Sequence, residues 1–402
     1  MAEEANIIVA GAGPAGLTAA LVLAAAGVPV RVLEAEAGLA IDLRAGSYHP
    51  PTLEMLAPYG ITDRMIARGV MVPYWHIRDR NEGLLAEFDL GLLKDDTPYP
   101  YRLHLEQHKL TPMLLEAAKA FPHFDIRFDS KLVAARQDED GVSVTTDGPG
   151  GREDHTGSYL IGADGHHSVV RGAIAAEFEG FTWPELFLVL STPYDFEAHG
   201  YARATYIADP VEWVMLFKVP GFEPPALWRM ALPTDPDLAP EIATSDETVQ
   251  DRLAGFLADG APYEVVDRNL YRVHQRVAKH FTKGRVAIVG DAAHVNNPLG
   301  AMGLNGAVHD AVNLAEKLIA LWRGEAGREI LDLYERQRRP AQIDFVQRIT
   351  IRNKSLVEER DPEIRRQRQD EIRALGADRR KQYEFLLDTS MISMVRKAAA
   401  VT

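Results

Sequence analysis

The sequence predicts an α/β protein: a Rossmann-like nucleotide-binding domain, an inserted antiparallel sheet and a helical C-terminal segment. Three glycine-flanked strand ends predict it. Asn6–Ala10 runs into Gly11-Ala12-Gly13-Pro14-Ala15-Gly16, Tyr159–Ile161 into Gly162-Ala163-Asp164-Gly165, and Arg285–Val289 into Gly290-Asp291. Open α/β sheets bind ligands outside the carboxyl ends of their strands, where unpaired helix N–H groups favour an anionic partner. Between the second and third ends, Phe187–Leu190, Ala202–Ile207, Trp213–Val219 and Leu227–Leu232 read as successive strands. Asp209-Pro210, Pro220-Gly221 and Pro224-Pro225 break them, and no glycine pattern recurs, so they form a separate antiparallel sheet.

The first motif is the most specific. Leu17–Ala26 reads as a helix stopped by Gly27, and Pro29–Leu33 as a strand ending at Glu34. Gly11, Gly13 and Gly16 supply a tight turn, close approach to a pyrophosphate, and close packing of helix on strand. Glu34 stands where a carboxylate accepts hydrogen bonds from a ribose hydroxyl pair. This predicts a dinucleotide without choosing FAD over NAD.

The remaining elements follow in order. Pro51–Tyr59 reads as a helix. Val72–Leu90 reads as a hairpin turning at Asn81-Glu82-Gly83, and Leu110–Ala120 as a second helix. Residues 124–128, 132–136 and 142–145 read as strands, the last turning at Asp147–Gly151. His166 and His167 are adjacent, with no carboxylate at metal-ligand spacing, so they face solvent and no metal site is expected. Thr248–Leu257 reads as a helix, and Leu270–Val277 returns the chain to the strand before Asp291. Ala307, Val308, Ala311, Leu314, Ala315, Leu318, Ile319 and Trp322 fall at helical spacing. From Arg328 onward the chain is helical and charged, a pattern of solvated faces or oligomer contacts.

Length and charge bound the rest. A chain of 402 residues accommodates two domains. The expected division is 1–72, 98–182 and 270–345 for nucleotide binding, 73–97 and 183–269 for a substrate-binding sheet, and 346–402 for the helical segment. A net charge of −14 argues against nucleic acid or an anionic membrane surface as partner. The absence of cysteine removes disulfides, thiolate metal sites and cysteine nucleophiles, and suits a cytoplasmic protein. Leu17–Val28 is apolar, but its flank is not basic and its length is too short to span a bilayer. The three strand ends can converge on one extended ligand. Only one phosphate loop exists, so a second nucleotide has no resident domain and any nicotinamide donor binds transiently or not at all.

Gly11-x-Gly13-x-x-Gly16-x-x-x-Ala20-x-x-Leu23-x-x-x-Gly27, Gly162-Ala163-Asp164-Gly165 and the stretch from Gly290 to Asn313 together resemble the single-component (class A) flavoprotein aromatic hydroxylases, the 4-hydroxybenzoate hydroxylase family, over residues 5–345. The resemblance implies a glutathione-reductase-type FAD domain with NADH or NADPH as transient co-substrate. It implies use of O2 to hydroxylate a phenolic or heteroaromatic ring, possibly carboxylated, through a flavin C4a-hydroperoxide. It assigns Asp164 to the FAD pyrophosphate and productive nicotinamide encounter, and Asp291 to the ribityl-phosphate region. Arg44, which by itself reads as a surface charge or a phosphate clamp, joins the FAD contacts with Gln107, Ala15, Leu132 and Gly300, and the backbone around Gly303, Leu304 and Asn305 faces the flavin pyrimidine. Ala301 departs from the pattern, where many relatives have glycine.

On the substrate side Tyr206, four residues before Pro210, resembles the family's phenol-activating tyrosine; a core tyrosine is the other reading. Alternation puts Trp213, Met215 and Phe217 on one face of the next strand. Arg229 either anchors a carboxylate bidentately or makes a structural ion pair. Phe217 replaces a polar group of 4-hydroxybenzoate hydroxylase, so that enzyme's own substrate is not implied. His49 belongs to the pocket rim. Rival functions are a halogenase or reductase of the same fold, or a non-redox flavin carrier. The Trp-x-Trp-x-Ile-Pro segment of halogenases is absent. A monomer or homodimer is expected.

Overall fold

The chain is seen in a computed structural model that describes residues 7–41, 46–221, 226–258 and 262–402. Among these residues a six-stranded sheet runs in the order Thr282–Lys283, Val286–Ile288, Tyr159–Gly162, Ile7–Ala10, Val30–Leu33, Phe124–Arg127. All pairs are parallel except Thr282–Lys283, which closes one edge antiparallel. The parallel strands are β-branched and apolar because helices bury both faces. The Pro14–Ala25 helix is buried almost all round, from Pro14 to Ala24, and packs on the Gly303–Trp322 helix. It starts a turn earlier than expected, since Pro14 at its first position needs no N–H partner and has a preset φ.

The second sheet has eight strands: His294–Val295, Asp267–Ala278, Phe178–Thr192, Leu227–Thr234, Val214–Val219, Ala204–Ala208, Tyr74–Asp79 and Gly83–Asp89. It is antiparallel except where Ala204–Ala208 pairs with Tyr74–Asp79 in parallel. That exception arises because the hairpin at 74–89 comes from an earlier stretch of chain, so no tight turn dictates its direction. Phe178–Thr192 is far longer than the expected Phe187–Leu190, and it runs through the expected boundary at 182/183. Its outer half carries Gly180 and Pro184, lies toward solvent, and shifts register between Thr182 and Leu186. Gly151–Gly157 forms a further strand, paired to Val142–Gly148, that its polar sequence does not announce.

The sheet's two faces are filled differently. Ile207, Val214, Leu216, Trp228 and Met230 pack under the Asp246–Phe256 helix with Val249 and Leu253. Tyr206, Trp213, Met215, Ala231, Val189, Trp75 and Phe88 share the opposite face. Leu299, Val357, Ile372, Leu386 and Ile392 close over that second face. The C-terminal helices Pro362–Ala377 and Arg379–Thr389 are therefore not simply solvated. They lie on the Tyr74–Asp89 hairpin, where Arg365 and Gln369 bind Asp79 and Tyr383 donates to Asp96 at 2.9 Å. Among the described residues no helix is long and apolar enough to cross a membrane.

Candidate active site

Four parallel strands end at one edge. Ala10 is in register with Leu33 and Gly162, and Gly162 with Ile288. Gly11, Glu34, Asp164 and Asp291 therefore follow strand ends that lie side by side, spanning roughly 14 Å at the usual strand spacing. The chain order reverses direction at Ile7–Ala10, the switch point where such sheets hold ligands. Glu34 accepts from the Ala12 N–H at 2.6 Å and the Glu36 N–H at 3.1 Å. Ser130 N–H donates to the Glu34 carbonyl at 2.8 Å, which brings the start of the Lys131–Gln137 strand, with buried Leu132, beside it. The Asp164 carboxylate turns back onto its own chain, accepting from Ser168 Oγ at 2.5 Å and from the Val169 and Val170 N–H groups at 2.8 and 3.1 Å. Asp291 is exposed at the edge. Arg44 lies outside the described residues.

The backbone here leaves no room to vary. Gly11 has φ +101°, and a Cβ on it would meet the Ala163 carbonyl oxygen at 2.4 Å. A Cβ on Gly16 would meet the Gly11 carbonyl oxygen at 2.0 Å. At Gly290, φ +59°, a Cβ would meet Ala307 Cβ at 2.9 Å and Ala15 Cβ at 3.3 Å, so the starts of two helices converge on this residue. FAD fits the edge. Among the described residues neither the Pro14–Ala25 nor the Gly303–Trp322 helix has a side-chain cap, which leaves N–H donors for a pyrophosphate and for an electron-rich ring. A Cβ on Gly13 would meet nothing within 4 Å, so the approach to the first helix is open.

The second helix start is fixed by Asn305, fully buried, whose Oδ1 accepts from the His49 N–H at 2.8 Å and Thr52 Oγ1 at 2.6 Å. Its Nδ2 donates to the Ser47 and Ala301 carbonyls at 2.9 and 2.6 Å. Gly300 has φ +129°, and Ala301 is a non-glycine residue at φ +56°, which explains physically why glycine suits that position. Gln107 opens the Gln107–Lys119 helix and is half-buried. Gly303 and Leu304 lie in the first turn, partly accessible.

Beyond the loop, Tyr206 is buried with its hydroxyl facing the Arg102 guanidinium and the Gly300 backbone. Burial pushes its pKa up, and the guanidinium opposes this. Trp75 meets Tyr206 edge-on at 5.5 Å. Tyr206 pairs across the sheet with Met215, and Phe217 pairs with Arg229, whose guanidinium lies 5.6 Å over the Phe217 ring. Trp213 meets Phe187 at 5.0 Å deeper in the same face. His49 donates from Nε2 to the Gly300 carbonyl at 2.9 Å, and its buried Nδ1 has no hydrogen-bond partner. Tyr206, His49 and Gly300 thus meet, with Met215, Phe217 and Arg229 beside them. Arg102 and His104 were not among the expected site residues. They share one face of Arg102–His104, an arginine and a histidine alternating with buried leucines, and that alternation is the signal that marks them.

Behind the site Asp310 accepts from His294 Nε2 at 2.6 Å and Arg338 Nε at 2.7 Å, all three almost wholly buried. Burial alone would raise the Asp310 carboxyl, but Arg338 and His294 hold it down at about 2. Its Oδ2 also accepts from the Gly290 N–H at 3.3 Å. Three imidazoles nearby are neutral. Burial lowers His104 to about 4 and His309 to about 3, and burial with the Arg102 charge lowers His49 well below the ordinary range. In the unfolded chain each recovers a pKa of about 6.5, so unfolded chains bind protons first as pH falls. Stability is complete above that pH and declines below it, by up to about 1.4 kcal/mol per pH unit for each imidazole, until the folded values are reached. Thermal melts from neutral pH to pH 5 are expected to fall steeply, with His104→Asn flattening the slope; a melting temperature flat across that range contradicts the burial.

A parallel sheet with one phosphate loop and two uncapped helix starts on its switch point, beside a covered sheet face rich in aromatic side chains, fits a nucleotide-dependent oxidoreductase of flavin type. Residues 4–349 match the FAD binding domain family. Para-nitrophenol 4-monooxygenase of Pseudomonas sp. (strain WBC-3) is 37% identical over 395 residues, covering 96% of this chain and 96% of that protein. The 6-hydroxy-3-succinoylpyridine 3-monooxygenase of Pseudomonas putida (strain DSM 28022 / S16) is 35% identical, covering 86% of this chain and 87% of its own length. The crystal structure of p-nitrophenol 4-monooxygenase from Pseudomonas putida DLL-E4 superposes with a TM-score of 0.92 at 36% identity, covering 97% of this chain and 98% of that one. The chain belongs to the FAD-binding family, among the class A flavoprotein aromatic hydroxylases.

Proposed function

We propose that this enzyme hydroxylates a small phenol or hydroxylated heteroaromatic ring, held with its oxygen substituent at Tyr206. The observation that carries the reading is the hydroxyl of Tyr206, turned toward Gly300 on the same loop that leads into the Gly303–Trp322 helix. Ring and flavin seats thereby share one rigid segment. FAD would be held by Gly11–Gly16, Ala15, Glu34, Leu132, Asp164, Asp291 and the Gly300–Asn305 loop, and would supply hydride uptake from NAD(P)H and activation of dioxygen. The chain's own part is to bind, orient and keep dry. Trp213, Met215 and Phe217 give the ring an apolar floor that excludes water from the reacting atoms. Tyr206 directs a hydrogen bond to the ring oxygen and holds its proton, since burial keeps the phenol neutral. Arg229 serves a second polar substituent, two strands away across the same face. The relatives named for nitrophenol and hydroxypyridine rings support a substrate of that size. His166, His167 and His274, in the field of Arg276 and Arg272, stand close to the Asp164 strand end and give an anionic donor a place to dock. The cysteine-free sequence and the need for NAD(P)H favour the cytoplasm.

Purified holoenzyme, given NADH or NADPH and a panel including 4-nitrophenol and hydroxypyridines, is expected to consume oxygen faster with a ring present and to form the hydroxylated product. No stimulation by any ring would sink the reading. Tyr206→Phe is expected to slow ring hydroxylation about tenfold or more while flavin reduction stays near wild type. Equal loss in both half-reactions would instead mean a damaged chamber.

A further inference from the structure

The C-terminal helices reach Tyr206 and Arg102 through a series of planar groups. Phe385, on the Arg379–Thr389 helix, stacks on Trp75 with centroids 6.1 Å apart and 26° between planes. It also lies 4.9 Å from Phe88, which stacks on Trp75 at 4.6 Å. Arg352, on the Arg348–Val357 helix, stands over the Phe385 ring at 5.3 Å. The Arg102 guanidinium lies 4.8 Å over the Trp75 indole. Arg102 is only 3% exposed. Among the described residues no carboxylate pairs with it, and its buried Nε has no hydrogen-bond partner. It faces the Trp75 ring and the Tyr206 hydroxyl. A cation taken out of water and left without an anion is costly, and such a charge is retained where an anion arrives. Two buried imidazoles, His49 and His104, lie in the field of the same guanidinium, and the Nδ1 of His49 has no hydrogen-bond partner.

We propose that Arg102 is the substrate-binding cation, taking the oxygen of an ionised or strongly polarised ring, and that Phe385 positions it through Trp75. The inference rests on the chamber being that of a ring hydroxylase and names the rings it prefers: phenols acidified by an electron-withdrawing substituent, over their neutral ethers. It also gives the C-terminal helices a part in specificity. A guanidinium held against an indole has fewer rotamers to search before its fork meets a substrate oxygen.

The test is equilibrium binding to oxidised holoenzyme, with no NAD(P)H, using 4-nitrophenol and 4-nitroanisole as probes. Wild type is expected to prefer the phenol by about tenfold or more, the discrimination of one charge-assisted hydrogen bond. Arg102→Met is expected to bring that ratio close to one, with FAD content and 4-nitroanisole affinity unchanged, and Arg102→Lys to recover part of it. Phe385→Leu is expected to reduce the ratio with FAD content intact, and Phe385→Tyr to restore it. A wild type without preference, or Arg102→Met that keeps it, overturns the role of Arg102. Phe385→Leu that weakens both probes equally shows Phe385 to be structural only. Should Arg102→Met not fold, the wild-type ratio and the Lys variant still decide. Because no turnover is measured, failure here is distinct from failure to hydroxylate.

Discussion

Gly16→Ala is expected to purify colourless, and Gly13→Ala to fold as wild type yet bind FAD weakly, although both alter the same loop by one methyl group. At Gly16 the new Cβ would lie 2.0 Å from the Gly11 carbonyl oxygen and 3.2 Å from Ala163 Cβ. Gly11 cannot yield, being at φ +101° with the Ala163 carbonyl against it. The helix start must move, at a cost of about 1–3 kcal/mol or more for overpacking, and its N–H groups move with it. At Gly13 the Cβ meets no protein atom within 4 Å, so the apoprotein should melt normally. The methyl instead stands in the pyrophosphate's path, and affinity is expected to fall about tenfold or more, the equivalent of one lost hydrogen bond to a charged group. Flavin absorbance after desalting, with melts of both apoproteins, separates the two. Gly13→Ala that stays fully yellow would place the pyrophosphate elsewhere.

Asp310→Ala is expected to be the most destabilising single change behind the site. It strands Arg338 at 2% and His294 at 1% exposure without their shared carboxylate. Breaking one member of a buried ion network costs about 3–5 kcal/mol, because the remaining charge stays desolvated. The Gly290 N–H loses its acceptor too, so FAD retention should fall along with stability. Pairing Asp310→Leu with Arg338→Met removes both charges and is expected to recover much of the melting temperature. A single variant that melts within a degree or two of wild type would show the network to be dispensable.

What could be read in the sequence was local. Gly11–Gly16 with Glu34, and the strand ends at Asp164 and Asp291, carry their meaning in adjacent residues, and they do fall on one sheet edge. The hairpin around Gly83 was legible for the same reason. Arg102 was not, because its significance depends on Trp75 and Tyr206, which come from two other stretches of chain joined by a parallel pairing. The C-terminal helices misled through their charge: Ile372 and Leu386 are buried, but sparse among Arg and Glu that face outward. Gly151–Gly157 escaped notice because a solvent-facing edge strand needs no apolar alternation.

The order of strands in the parallel sheet has a consequence for the birth of the protein. Ile7–Ala10 leaves the ribosome before the other strands of its sheet, but one flank waits for Tyr159–Gly162, which waits in turn for Val286–Ile288. At roughly 5–20 residues per second that interval lasts on the order of a quarter of a minute to a minute. Throughout it the oily Pro14–Ala25 helix has no Gly303–Trp322 helix to lie against. The nascent chain is therefore expected to need shelter until the Gly303–Trp322 helix has emerged, and the cofactor can be captured only after that.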